Sequence, residues 1–409
     1  MEFVIFELQN GIRVVHKQVK STKVAHLGLF INAGSRDELE SEKGLAHFIE
    51  HTIFKGTKKR KSFHILNRLD SVGGELEAYT TKEETVFHAS FLKEHLNRAA
   101  ELIADITFNS IFPKKEIIKE KDVIIDEIAS YLDSPYDQIY DDFEELVFGK
   151  HPLGSNILGT EKHLKSFTQL SIHDFMDRLY ATEEMVISSV GAFSEKRLKE
   201  TLEKHFNAPI QKKRNHQRET FETYQKVEQS IQKDHYQSHY ICGNMAYSTM
   251  KSKKNGMILL NNLIGGPAMN SILNMEVRER LGYTYNIESN YSIYSDCGLF
   301  SIYLGTDQQY LDKTIAVVNK ALKQLREKEL SARKLSQAKK QIIGQMALGR
   351  ENNQALMLSY GKSLMVHNRI STLEEIIEKV ESITSKEVLS ISNEILNTND
   401  FSHLAYINK

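Results

Sequence analysis

Apolar and polar positions alternate from Phe3 to Leu8, pause at Asn10-Gly11 and resume through Ile12-Arg13-Val14-Val15. That pattern predicts two strands joined by a tight turn. Residues 24–33 are almost continuously apolar, as expected of a strand at a sheet centre or buried on both faces. Gly34-Ser35-Arg36-Asp37 breaks the run, and the period then lengthens. Residues 44–54 read as a short amphipathic helix, with Gly56 as the residue that closes it. A helix over 63–69 follows, then Gly73-Gly74 and a segment leading into a strand over 85–91. The glycine pair and the alternation after it suggest an exposed edge that another backbone can approach, although the sequence alone favours a plain hairpin. Such an edge can take a peptide as an added strand.

Helical periodicity returns over 92–107 and, beyond the break at Pro113, over 114–132. Residues 133–145 (DSPYDQIYDDFEE) are acidic and aromatic, either a solvated face or a surface preferring basic residues in a partner. A helix over 171–180, a strand over 185–190 and a helix over 194–206 complete the first half. Residues 209–220 (PIQKKRNHQRET) are polar, basic and non-periodic, which predicts an interdomain linker. The expected division is 1–210, a linker at 211–220, and 221–409.

The second half repeats the first. Strands are predicted over 236–246, 284–294 and 298–304, and helices over 256–263, 270–280, 309–328 and 331–350. Aligning VIIDEI (123–128) with QIIGQM (341–346) places Gln345 opposite Glu127. A duplicated scaffold with its chemistry confined to the first copy is the natural reading.

The chemistry sits in the helix over 44–54. His47 and His51, four residues apart, lie one above the other with Glu50 beside them, so two imidazoles and a carboxylate share one surface. Two neutral imidazoles suit Zn2+, and a carboxylate unable to reach the ion can take a proton from a water held there. In the helix over 114–132, Glu120 and Glu127 share a stripe, with Ile124 and Ile128 flanking Glu127. A carboxylate on that inward side needs a partner or a metal, whereas one on a helix this charged is ordinarily solvated.

Composition narrows the class. A chain of 409 residues exceeds what one ordinary core supports, so two domains are expected. A net charge of -1 speaks against a nucleic-acid-binding or polybasic membrane surface. Two cysteines, Cys242 and Cys297, suit a reducing compartment. The opening residues lack a basic leader and apolar core, and no apolar run nears the roughly 18 residues that span a bilayer. A cytoplasmic location is therefore expected.

GLAHFIEHTIFKGT (44–57), GGELEAYTTKEET (73–85), EKDVIIDEI (120–128) and GGPAMNSILNMEVRERLGYTY (265–285) together resemble the pitrilysin-type inverzincin zinc metallopeptidases. The likeness is greatest to their mitochondrial-processing-peptidase-like branch. That family carries H-x-x-E-H with a Glu about 76 residues further on, the spacing of His51 and Glu127. The resemblance implies an α+β fold of two similar domains, each a mostly antiparallel sheet covered by helices. It further implies one Zn2+ per chain on His47, His51 and Glu127, with Glu50 as general base. Glu120 and Glu83 would orient ligand histidines, and Gly74, Glu77 and Ala78 would lie along the bound peptide. The family more often has Asn where Glu77 stands. Arg278 and Tyr285 would hold the substrate backbone or the oxyanion. The expected activity is cleavage of internal bonds in unstructured peptides within a chamber closed by a homodimer, or by a heterodimer with a homologous subunit. A non-catalytic partner subunit and a structural zinc protein are the alternatives.

Overall fold

The computed structural model describes residues 3–206 and 213–408. In chain order the first part runs β1 (Val4–Glu7), β2 (Arg13–Gln18), β3 (Val24–Ile31), α1 (Leu45–Thr52), α2 (Ser62–Asp70), β4 (Glu75–Thr80), β5 (Thr85–Leu92), α3 (Leu96–Asn109), α4 (Lys114–Leu132) and α5 (Pro135–Phe148). It continues through α6 (Glu161–Ser166), α7 (Gln169–Leu179), β6 (Met185–Gly191) and α8 (Glu195–Phe206). The second part comprises β7 (Glu228–Lys233), β8 (Ser238–Ala246), α9 (Lys254–Gly265), β9 (Thr284–Ile293), β10 (Gly298–Thr306), α10 (Leu311–Glu327), α11 (Ala332–Arg350) and α12 (Asn353–His367). It ends with α13 (Leu373–Ser382), α14 (Ser385–Ile395) and β11 (Ser402–Asn408).

One sheet has the order β1-β2-β6-β3-β5-β4 and the other β7-β11-β8-β10-β9. Each contains one parallel pair, β2 with β6 and β7 with β11, and is otherwise antiparallel. Setting β1 aside, the two orders are the same order, so the repeat read from the sequence is a repeat of topology. The fold is α+β and duplicated. β3 does lie between β5 and β6 with all but its first residue buried, as its apolar run predicts. β4 is an edge strand, as the glycine pair suggests.

The chain does not divide linearly. One compact unit comprises residues up to Ala129, Ser155–Glu219 and Leu348–Thr372; the other comprises Ser130–Gly154, Thr220–Ala347 and Leu373 onward. The division expected from composition is therefore crossed twice, and its boundary at 210/211 falls outside the described residues. In the first unit α12 covers the sheet face formed by Phe30, Val86 and Val186 with Leu356, Met357, Tyr360 and Leu364. In the second, α5 covers the corresponding face, packing Ile139 and Phe143 against Ile241, Leu299 and Tyr406. Each face is a row of alternate strand residues that needs an apolar helix over it, and the helix comes from the far half of the chain.

Several local expectations change. Gly56 does not close α1; Ile53 is the cap residue, and Gly56 pairs in a bridge with Lys61. The stretch predicted as a helix over 270–280 contains a π-helical turn, Asn274–Glu279. The acidic, aromatic run is α5, where Asp142 accepts from Tyr406 (2.6 Å) and Glu144 from Tyr294 (3.0 Å). These carboxylates hold the helix to its sheet, which removes them from the surface expected to favour basic partners. Both cysteines are buried and unpaired with each other. Among the described residues no helix is long and apolar enough to cross a membrane.

Candidate metal centre

The loop between β3 and α1 sets where the helix begins. Gly44 precedes α1 with φ of 93°, and a Cβ there would sit 2.6 Å from the Leu158 carbonyl, so glycine is required twice over. The buried carboxylate of Glu38 accepts from the amides of Gly44 (2.9 Å) and Ala46 (2.8 Å), satisfying donors that a helix start leaves open. Burial nevertheless raises the proton affinity of Glu38 well above the ordinary range.

From that anchored start, α1 buries Leu45, Phe48 and Ile49 in the core and turns His47 and His51 toward α4. Their ring centroids are 4.5 Å apart. Glu127 faces both, with 3.8 Å from Oε1 to His47 Nε2 and 3.5 Å from Oε2 to His51 Nε2. One ligand atom from each of the three residues lies within 4.8 Å of the others. These separations exceed ordinary hydrogen bonds but approach the roughly 3.4 Å edge of a tetrahedron with bonds near 2.1 Å. Two imidazole nitrogens and a carboxylate at that spacing fit Zn2+.

Glu120, buried on the same stripe of α4, stands 3.2 Å from His51 Nδ1, which donates to it and leaves Nε2 free to bind. Its other oxygen pairs with Lys55 at 2.8 Å. Burial pulls the His51 imidazole down, but the Glu120 hydrogen bond and the charges of Glu127, Glu120 and Glu50 outweigh it and raise its proton affinity. His47 behaves oppositely: burial, then the neighbouring His51, push it down to about 4. Its Nδ1 is buried without a hydrogen-bond partner among the described residues. Burial likewise raises Glu50, with Thr80 at the end of β4 pulling the other way.

The remaining expected site residues separate. Gly74 precedes β4, and the backbone close to it is that of Ser90 in its own sheet, 3.0 Å from a built Cβ. Ala78 packs with Leu76 on the core that contains α1, whereas Tyr79 packs on the α12 side. Glu77 shares the Tyr79 side, accepts from Gln354 Nε2 at 3.1 Å and sits 3.5 Å from His88, so its carboxylate points away from the α1 face. Glu83 lies in the turn between β4 and β5. Its carboxylate accepts from Arg36 Nη1 at 2.6 Å, because the turn after β4 directs it back to the loop ahead of α1. Arg278 and Tyr285 lie together in the second unit, the guanidinium 5.0 Å above the ring of a tyrosine that is 80% exposed on edge strand β9.

The sequence reading gives Lys55 and Glu38 no role, and Thr80 none beyond marking the end of the β4 edge. Lys55 had a signal, four residues after His51 on the same side of the chain. Glu38 and Thr80 had none, since their partners are met only through the fold.

Comparison with known proteins shows the family. Family models match residues 13–161, as insulinase (peptidase family M16), and residues 166–342, as the peptidase M16 inactive domain. His47, Glu50, His51 and Glu127 all fall in the first match, Arg278 and Tyr285 in the second. A Bacillus subtilis (strain 168) protein named uncharacterized zinc protease YmxG is 32% identical over 396 residues, covering 97% of this chain and 96% of that one. An uncharacterized zinc protease of Rickettsia bellii (strain RML369-C) is 31% identical, covering 97% and 95%. Among solved structures, a peptidase M16 inactive domain from Pseudomonas fluorescens superposes with a TM-score of 0.93 at 18% identity, covering 100% of this chain and 98% of that one. A protease from Helicobacter pylori superposes at 0.90 and 19% identity, covering 99% of each chain. With its repeated topology, its histidine and glutamate cluster and relatives that match it nearly end to end, this chain belongs to the insulinase family of peptidases, family M16.

Proposed function

We propose that this protein is a zinc-dependent endopeptidase acting on extended, unfolded peptides, with His47, His51 and Glu127 as the metal ligands and Glu50 as general base. The observation that carries this reading is the convergence of Glu127, from a helix 76 residues away, on two imidazoles of α1. When bound, zinc supplies Lewis acidity, polarising the peptide carbonyl and making a water acidic enough to attack near neutral pH. Glu50 takes the proton from the attacking water and passes it to the leaving amine. Its raised proton affinity, from burial, suits a group that must both accept and return a proton. Glu120 fixes the tautomer of His51. The β4 edge offers free main-chain groups to a peptide strand, and Ala78 marks the side that faces α1. Arg278 and Tyr285, already stacked, are assigned to the substrate backbone or the oxyanion. A second copy of the chain, or a homologous subunit, closes the chamber and supplies that pair in trans.

The test compares wild type with Glu50→Gln on an unfolded peptide, with and without a chelator, and measures bound metal. Glu50→Gln is expected to keep one zinc per chain and lose roughly 10²–10⁴-fold in kcat. Zinc-loaded wild type that cleaves nothing, alone or with homologous subunits, would favour the non-catalytic alternative. The inactive-domain family model covers residues 166–342 and leaves the ligand set outside, whereas the Pseudomonas fluorescens structure of that name spans the whole chain and keeps the non-catalytic alternative as the second reading. Mixing Glu50→Gln with Arg278→Ala chains should restore activity; no recovery sinks the assignment in trans.

A further inference from the structure

Within the basic run that composition marks as a linker, residues 214–219 are docked on the loop ahead of α1. Asp37, 0% exposed, receives the Arg218 guanidinium through both oxygens, Nε to Oδ1 and Nη2 to Oδ2 at 2.9 Å each. Arg214 Nη2 also bonds Asp37 Oδ1. A buried carboxylate needs such partners, and a planar fork held on both oxygens fixes orientation as well as charge. The same two arginines reach main chain on either side. Arg214 Nη1 donates to the Asn32 carbonyl (2.6 Å) and Arg218 Nη2 to the Glu83 carbonyl (2.8 Å). Arg36 closes the weave, donating to the Glu83 carboxylate (2.6 Å) and to the Glu219 carbonyl (2.6 Å).

Three pieces of chain are thereby joined: the loop ahead of α1, the turn between β4 and β5, and residues 214–219. The loop carries Glu38, which holds the amides at the start of α1 and hence the helix of His47, Glu50 and His51. The turn begins beyond Thr80, the neighbour of Glu50. We propose that residues 214–218 are a strap that sets the position of the base-bearing helix against the β4 edge, with Asp37, Arg214 and Arg218 as positioning residues. The proposal rests on the endopeptidase reading, and deepens it by tying the geometry of catalysis to the segment that leaves the first unit. A displacement near 1 Å between the base and the bound peptide lowers turnover without removing the metal ligands.

The experiment uses the full chain with Arg218→Ala. Zinc content of one per chain, KM within about twofold and kcat lowered roughly 10- to 100-fold are expected. Millimolar guanidinium should restore part of the lost kcat in Arg218→Ala and leave unchanged the kcat of Arg280→Ala, which removes an exposed guanidinium paired with Glu276. Zinc lost together with activity, or kcat unchanged in folded, zinc-loaded Arg218→Ala, overturns the strap. Should Arg218→Ala fail to fold, Arg218→Lys, which keeps the charge but not the fork, carries the same test. Hydrogen exchange gives a readout independent of turnover, with faster exchange over 44–52 and 80–85 expected in the variant. Unchanged exchange there overturns the strap, whereas an inactive wild type overturns the endopeptidase reading alone.

Discussion

Glu120 meets His51 with one oxygen and Lys55 with the other, so it is the carboxylate through which α4 steadies the His51 imidazole. Replacing it with Ala should weaken zinc binding about 10- to 100-fold while leaving the fold in place, measurable by competition with a chromophoric chelator. An unchanged affinity would remove Glu120 from the centre. A second residue-scale expectation concerns acid. Burial, then the positive charges of His235 and Lys233, push His239 down to about 4, while the unfolded chain binds that proton near 6.5. Stability from His239 is therefore full above about 6.5 and is lost as pH falls toward 4. Urea midpoints taken across that window should fall in wild type and fall less in His239→Gln, whose amide can still meet Tyr303. The pair His47 and His51 was legible because four residues return to one side of a helix. Glu120 and Glu127 shared a stripe for the same reason. Asp37 was not, because a charge in a loop between two apolar stretches looks solvated until its arginines arrive from 177 and 181 residues away.

Helix α12 shows how tightly an element can be specified by what is missing from it. A Cβ on Gly361 would lie 2.1 Å from the Phe30 ring, and one on Gly28 of β3 2.8 Å from Met357 Sδ. Ser188 Oγ donates to the Met357 carbonyl at 2.7 Å across the same contact. Gly361→Ala should therefore destabilise by about 1–3 kcal/mol through overpacking. Gly344→Ala, in α11 with nothing within 4 Å of the added carbon, should stabilise by about 0.5–1 kcal/mol through helix propensity. Chemical denaturation of the two variants checks both signs. The strands around this contact were readable because β3 is apolar but for His26 and β5 carries Val86, Phe87, Ala89 and Phe91 between its polar residues. Helix α5 was hidden, since Tyr136 and Tyr140, which both donate to Glu288 at 2.7 Å, put polar atoms where periodicity looks for hydrocarbon. The repeat itself survives in detail: Glu127 and Gln345 each stand at the fourteenth position of a 19-residue helix.

At the scale of the molecule, neither half contains everything its own sheet needs. A fragment ending at Glu219 keeps His47, His51 and Glu127 but lacks α12, leaving Phe30, Val86 and Val186 uncovered. It should bind a hydrophobic dye and lose cooperative unfolding, and a peptide of residues 348–372 should reverse both; cooperative unfolding of the fragment alone would contradict the exchange. Linear composition could not disclose this, because α5 and α12 each follow their own repeat without interruption and only their destinations differ. The exchange also imposes a timetable on the nascent chain. At roughly 5–20 residues per second, some 10–30 s of translation separate the last strand of the first sheet from the helix that roofs it. For that interval an apolar slab waits beside the ribosome, and whatever shields it there belongs to the biology of this protein as much as the finished fold does.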